Sequence, residues 1–131
     1  MTERIALLIA LFILAGIFSY RHRTTKKSGY FNLPDKFSNS NSLPTILYFW
    51  TEQCVQCTTS QKPALNNLKD KNGKFNLVSV NAIKEMELAS EFKVKTVPST
   101  IIFSAEGKSR FINNGYINEN ELEKQIEASL N

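Results

Sequence analysis

The sequence predicts a small three-layer α/β domain preceded by one N-terminal transmembrane helix. Three observations lead there: a long uncharged apolar run near the N-terminus, a polar stretch after it, and alternating strand and helix patterns over residues 43–131. With 131 residues, 42% of them hydrophobic, the chain has room for one modest domain and is not a low-complexity protein. We divide it into a tail (1–4), an anchor helix (5–20), a tether (21–42) and the domain (43–131).

The apolar run extends from Ile5 to Tyr20 without a charge. As a helix it would measure roughly 24 Å, against about 30 Å for the hydrocarbon core of a bilayer. Arg4 and Arg21 could extend from its two ends to the headgroups, and Tyr20 suits the interface. A cleaved signal peptide is an alternative, but no small-x-small site follows Ala15. A core helix of a soluble protein is another, but the run lacks a polar stripe. We expect an uncleaved single-pass anchor in the cell membrane.

Charge is distributed unevenly along the chain. The net charge of +4 belongs entirely to residues 1–42, because residues 43–131 carry ten basic and ten acidic side chains. A neutral domain gives no support to nucleic-acid binding. The basic residues that directly follow the apolar run predict that the domain lies on the cytoplasmic side of the membrane; they are Arg21, Arg23, Lys26 and Lys27.

The segment 21–42 turns polar and ends in Ser-Asn-Ser-Asn-Ser. This composition is typical of a flexible tether. It also contains four large apolar side chains that could instead dock on the domain as an initial helix or strand, namely Tyr30, Phe31, Leu33 and Phe37. Both interpretations remain open at the level of sequence.

Within the domain, the patterns follow the order β-α-β-α-β-β-α. Two β-α-β crossovers predict a parallel portion of the sheet, and a turn at Gly107 predicts an antiparallel hairpin. Strands are predicted at Pro44–Trp50, Phe75–Val80, Ser99–Phe103 and Ser109–Asn113, and helices at Thr58–Leu68, Met86–Phe92 and from Asn118 onward.

Two of the predicted helices have a defined inward face. In the second helix of the domain, Met86, Ala89 and Phe92 are expected to point inward. In the last helix, Asn118 is the expected N-cap and Glu121 its reciprocal partner. Its apolar face consists of Leu122, Ile126 and Leu130.

The motif Cys54-Val55-Gln56-Cys57 lies between a predicted buried strand and a helix. Two intervening residues at a helix start bring the sulfurs within disulfide reach. The unpaired N–H groups and the positive end of the helix dipole there favour a thiolate on Cys54. That contribution lowers the pKa by about one unit, and no basic side chain lies within seven residues of Cys54. A thiolate attacks disulfides, and a second thiol resolves the mixed disulfide.

Here the chain resembles the thioredoxin family. Phe49 to Cys57 is similar to the family's aromatic strand end followed by C-x-x-C, and Thr96-Val97-Pro98-Ser99-Thr100 is similar to its cis-proline loop. The first cysteine and this proline are 44 residues apart, as in thioredoxins. The resemblance covers about residues 43–131 and implies a thioredoxin fold, with a central mixed sheet flanked by helices.

The resemblance also implies roles for individual residues. Cys54 would be the attacking thiolate and Cys57 the buried resolving cysteine, so the two would form a redox-active disulfide. Pro98, if cis, would place the Val97 backbone beside the sulfurs to pair with an extended substrate. Trp50 would flank the active-site surface.

The chain departs from the family pattern at several positions. Val55-Gln56 stands between the cysteines in place of Gly-Pro. The family's buried aspartate, which helps move a proton to the resolving cysteine, aligns with Tyr48, and its lysine partner aligns with Ser79. Pro63 lies one residue later than the usual helix proline. These differences affect the rate of reduction and leave the redox potential open.

The sequence thus predicts a membrane-anchored thiol–disulfide oxidoreductase without a bound cofactor or metal, acting as a monomer. Its partners would be protein disulfides and an upstream disulfide reductase. The alternatives are a redox-inactive thioredoxin-like adaptor and an extracytoplasmic member acting in disulfide formation or cytochrome maturation. An inert structural disulfide or incidental thiols would be the non-functional interpretation of Cys54 and Cys57. The only histidine, His22, lies in the tether, which disfavours a metal site.

Overall fold

The N-terminal segment forms helix α1, Thr2–Arg23, in a computed structural model that describes residues 1–23 and 31–130. An 18-residue window of α1, Thr2–Ser19, has a mean hydropathy of 1.9, and its side chains are exposed. The helix is therefore long and apolar enough to cross a membrane. The side chains of residues 20–23, together with Lys26, Lys27 and Tyr30, lie outside the described part of the chain.

Four strands form the central sheet: β1 (Thr45–Trp50), β2 (Asn76–Asn81), β3 (Ser99–Phe103) and β4 (Ser109–Asn114). Their spatial order is β2-β1-β3-β4. Strands β1 and β2 are parallel, whereas β3 is antiparallel to both of its neighbours. The mixed sheet confirms the predicted fold class.

The second crossover differs from the prediction, because β3 runs antiparallel to β1. The connection from β2 to β3 contains helix α3, Met86–Glu91, of only six residues. Six helical residues advance the chain by about 9 Å, whereas a six-residue strand is about 20 Å long. The chain therefore stays at the end of the sheet where β1 and β2 finish, and β3 starts from that end.

Two further helices complete the domain: α2 (Lys62–Asn72) and α4 (Glu119–Ser129). One face of the sheet buries Ile46 and Ile102 against α2 and α4. The other face buries Leu47 and Phe49 against α3. This arrangement gives the three predicted layers.

Helix details correct three predictions. Met86 is 67% exposed, and Leu88 joins Ala89 and Phe92 in the core instead, because α3 is short and begins at Met86 on the solvent side. Leu130 is 42% exposed because it follows the end of α4 as its C-cap.

The third correction concerns the start of α4. Asn118 caps the helix by accepting from the Glu121 N–H at 3.0 Å, as predicted. The Glu121 side chain, however, accepts from Lys124 Nζ at 3.1 Å in an exposed pair, and so faces along the helix rather than back toward the cap.

Residues 31–37 dock on the domain. The Phe31 ring contacts the Phe92 ring edge-on with centroids 5.1 Å apart, and the Leu33 N–H donates to the Gly107 carbonyl at 2.8 Å. A short 3₁₀ turn, Asp35–Phe37, follows. The chain thus joins the domain at the β3–β4 turn, at the end of the sheet where β1 begins.

Candidate active site

The two cysteines lie where β1 passes into the following helix. The Cys54 N–H donates to the Thr51 carbonyl at 3.2 Å, and helical structure begins at Val55. Cys54 and Cys57 are joined in a disulfide with their Cα atoms 5.2 Å apart. Cys57 is buried, with 2% of its surface exposed, whereas Cys54 is half-buried. Of the two cysteines, Cys54 is the more exposed.

A backbone hydrogen bond points at the Cys54 sulfur. The Cys57 N–H donates to Cys54 Sγ at 3.1 Å. This N–H belongs to the first turn, where the helix supplies no carbonyl partner. In the reduced protein the same N–H would stabilise a thiolate on Cys54 and lower its pKa. It is the additional activation that the sequence could not show.

The second cysteine begins a π-helical turn, Cys57–Gln61, in which the Lys62 N–H donates to the Cys57 carbonyl. Such a turn spans one more residue than an α-helical turn. Pro63 follows it, and a proline has no N–H for an α-helical bond to the carbonyl four residues earlier. The π-helical turn thus places one more residue between Cys57 and Pro63 than an α-helical turn would.

Tyr48 reaches from β1 to the same turn. Its hydroxyl donates to the Cys57 carbonyl at 3.3 Å, and only 4% of its surface is exposed. Burial raises the pKa of Tyr48 to about 12, because the phenolate would lose its hydration. At neutral pH the position therefore holds a neutral donor rather than a carboxylate.

The proline loop precedes β3 at the end of the sheet where β1 finishes. The Val97–Pro98 peptide is cis, and the Pro98 carbonyl accepts from the Gly115 N–H at 2.9 Å. Trp50, Cys54 and Val97 are each partly buried against the same hydrophobic cluster. A groove of about 390 Å³ runs beside Val97, lined mainly by the loop before β3 and by α3.

One cation lies close to the site although it is distant in sequence. Lys84 Nζ is 3.8 Å from Glu52 Oε1, and both side chains are largely exposed. An exposed pair of this kind contributes little to stability, but it offsets the negative charge two residues before Cys54. Within residues 1–23 and 31–130, no three His, Cys, Asp or Glu side chains come together as a metal-binding group.

Sequence reasoning missed Gln61, which is fully buried and bonded to the backbone of Ile117. The burial of Gln61 could have been predicted, because it lies at helical spacing on an otherwise apolar face with Cys57, Leu65 and Leu68. The contact of the Tyr48 hydroxyl with the Cys57 carbonyl carries no such signal.

Comparison with known proteins agrees with this geometry. The profile of the thioredoxin-like domain matches residues 35–130, and the chain belongs to this family. It is 32% identical over 92 residues to thioredoxin M4, chloroplastic, of Arabidopsis thaliana. The matched region covers 69% of this chain and 46% of that relative. The chain thus matches about half the length of this relative.

Two solved structures have a similar fold. A thioredoxin mutant from Halobacterium salinarum superposes with a TM-score of 0.66 at 22% identity, over 74% of this chain and 82% of that one. The second is thioredoxin-2 of the malaria parasite, described as a component of its protein secretion machinery. It superposes with a TM-score of 0.59 at 26% identity, over 69% of this chain and 86% of that one. The thioredoxin-like fold and the C-x-x-C pair together support an oxidoreductase in general.

Proposed function

We propose that this protein is a membrane-anchored thiol–disulfide oxidoreductase that exchanges disulfides in protein substrates through Cys54 and Cys57. The observation that carries the proposal is the asymmetry of the pair. The sulfur of the half-buried Cys54 accepts a backbone N–H, and the sulfur of the buried Cys57 is bonded to it. This is the arrangement that an attacking and a resolving cysteine need.

The reaction has two exchange steps. The Cys54 thiolate attacks one sulfur of a substrate disulfide, forms a mixed disulfide and releases the other substrate sulfur as a thiolate, which takes a proton from water. Cys57, deprotonated, then attacks Cys54 Sγ and releases the second substrate thiolate. The substrate gains two electrons and the protein becomes the disulfide form. An upstream disulfide reductase returns it to the dithiol, and no bound cofactor takes part.

The proline loop and Trp50 would hold the substrate. The Val97 backbone pairs with an extended segment next to the substrate cysteine, with Pro98 fixing the loop and Trp50 flanking the sulfur. Helix α1 holds the monomer in the cell membrane, with the domain on the cytoplasmic side. The length and apolar composition of α1 support this anchoring.

Insulin reduction by the full chain in detergent micelles tests the activity. Cys54→Ser should reduce the rate to background, while Asn66→Ser, an exposed change on α2, should leave it unchanged. Cys57→Ser should accumulate a mixed disulfide with the substrate, because the resolving thiol is missing. Insulin reduction that survives Cys54→Ser would refute the proposal and favour a redox-inactive adaptor.

The side of the membrane needs a separate test. A reporter fused after Asn131 that works only in the cytoplasm should be active. Activity of a reporter that works only outside the cytoplasm would instead favour a member acting in disulfide formation or cytochrome maturation.

A further inference from the structure

The amide of Gln61 connects two segments that do not follow each other in the chain. Gln61 ends the π-helical turn four residues after Cys57, and its exposed fraction is 0%. Its Nε2 donates to the Ile117 carbonyl at 3.1 Å, and the Ile117 N–H donates to its Oε1 at 3.0 Å. One side chain thus satisfies both backbone groups of a single residue.

The segment that contains Ile117 also holds the proline loop. Two residues before Ile117, the Gly115 N–H donates to the Pro98 carbonyl at 2.9 Å. Residues 115–117 are therefore bonded to the helix of Cys57 through Gln61 and to the proline loop through Gly115. Ile117 itself is partly buried against the cluster that also receives Cys54 and Val97.

No apolar side chain could replace this connection. A methionine at position 61 would have a similar length, but the N–H and the carbonyl of Ile117 would lose their partners. Buried backbone groups without partners are costly, so residues 115–117 would shift to find others. Because Gly115 is bonded to Pro98, such a shift would be transmitted to the proline loop.

We infer that Gln61 is a positioning residue, which keeps the Cys54–Cys57 turn in register with the Pro98 loop so that a polypeptide substrate can contact both. The inference rests on the proposed function and specifies what that function requires of its substrate. A protein disulfide needs the sulfur and the loop together. A small disulfide such as 5,5′-dithiobis(2-nitrobenzoate) needs only the Cys54 sulfur.

The test compares these two substrates in the full chain in detergent micelles. Gln61→Met should lower kcat/KM for insulin about 10-fold, since small displacements of a bound substrate are costly. Its rate with 5,5′-dithiobis(2-nitrobenzoate) should stay within about twofold of the wild-type rate, because Cys54 and its N–H bond remain.

The matched control is Gln125→Met. Gln125 on α4 exchanges two amide hydrogen bonds with Asn113, at 2.8 and 3.0 Å, and the pair is part-buried. This change also removes two amide hydrogen bonds, here to a side chain rather than to backbone, without touching residues 115–117, and both rates should stay at the wild-type level. If Gln61→Met does not fold, Gln61→Glu should show a smaller loss confined to insulin, because its buried carboxyl in the protonated form keeps an acceptor for the Ile117 N–H and a donor for the Ile117 carbonyl.

The outcomes distinguish a failure of the proposed function from a failure of the inference about Gln61. A wild-type chain that does not reduce insulin would overturn the proposed function and this inference with it. If the wild type is active, an unchanged kcat/KM for insulin in Gln61→Met would overturn the inference alone. So would an equal loss with both substrates, because that pattern indicates general damage rather than a lost register.

Discussion

The phenol of Tyr48 is a neutral hydrogen-bond donor beside the resolving cysteine. It bonds the Cys57 carbonyl and is shielded from water, so it contributes no charge to the buried side of the site at neutral pH. The proton of the Cys57 thiol has no carboxylate at this position to receive it. We therefore expect the second exchange step to depend on water as the proton acceptor.

Tyr48 also predicts a pH dependence of stability. In the unfolded chain its pKa is the ordinary 10.0, and in the folded protein it is about 12. Between these values the folded state keeps a proton that the unfolded state has lost, so stability falls as pH rises. Between pH 9 and pH 11 this contribution should decrease by about 1 kcal/mol.

Urea unfolding at the two pH values measures this effect. Tyr48→Phe should lack this pH-dependent contribution. The free energy of unfolding of the wild type minus that of the variant should therefore be larger at pH 9 than at pH 11. Tyr116→Phe is the control, because Tyr116 is 44% exposed. A wild-type-to-Tyr48→Phe difference that does not change with pH would contradict the assignment.

The sequence was sufficient to predict the residues that a local pattern marks, and insufficient for those that depend on packing. Cys54 and Cys57 follow from their spacing at a strand–helix junction. Lys84 comes near Glu52 only because β1 and β2 are neighbours and the chain turns at the same end of the sheet. No local pattern around Cys54 contains that cation.

At the scale of elements, the N-cap of α4 gives a direct prediction. The side chain of Asn118 accepts from the Glu121 N–H at 3.0 Å. Asn118→Ala should lower the free energy of unfolding by about 1 kcal/mol, and Asn118→Asp should restore most of it. Urea denaturation checks both variants, and equal stability of Asn118→Ala and wild type would rule out the cap as a contributor.

The strands were predictable because each presents a clear pattern, such as the apolar run of β1. The direction of β3 was not, because it depends on the length of α3 rather than on the residues of β3. The π-helical turn was visible only indirectly, through the position of Pro63. Its hydrogen bond from Lys62 to Cys57 lies beside the contacts of Tyr48 with Cys57 and of Gln61 with Ile117, and these contacts form only in the folded chain.

At the scale of the whole molecule, the docked segment 31–37 belongs to the folded unit. The ring of Phe31 contacts Phe92, and such edge-on pairs are stabilising beyond the area they bury. Phe31→Ala should lower the free energy of unfolding by about 1–3 kcal/mol. Asn39→Ala, an exposed change in the polar stretch that follows, should have no measurable effect. Equal unfolding midpoints for Phe31→Ala and wild type would show that the docking is energetically irrelevant.

Under the proposed membrane anchoring, the docked segment would bring one end of the domain closest to the bilayer. The chain joins the domain at the β3–β4 turn, whereas Trp50 ends β1 about 17 Å away along the sheet. Between Arg23 and Phe31 there are eight peptide links, which reach about 28 Å at most. Because the chain is attached at the β3–β4 turn, this turn should on average lie nearer to the bilayer than Trp50 does under the proposed anchoring.

Trp50 is the single tryptophan of the chain and so reports its own position. In vesicles with dansyl-labelled headgroups, energy transfer from Trp50 should be weaker than from a tryptophan in the β3–β4 turn. The comparison variant is the double change Trp50→Phe and Glu106→Trp, since Glu106 is exposed in that turn. Stronger transfer from Trp50 would contradict the arrangement.

A domain attached in this way would carry its active site on the side that faces away from the membrane. Its reactive sulfur would sweep a shallow zone of water parallel to the lipid surface. Soluble proteins, and the protruding parts of neighbouring membrane proteins, would pass through that zone. Disulfide bonds at the level of the lipid headgroups would lie below that zone, and Cys54 would not reach them.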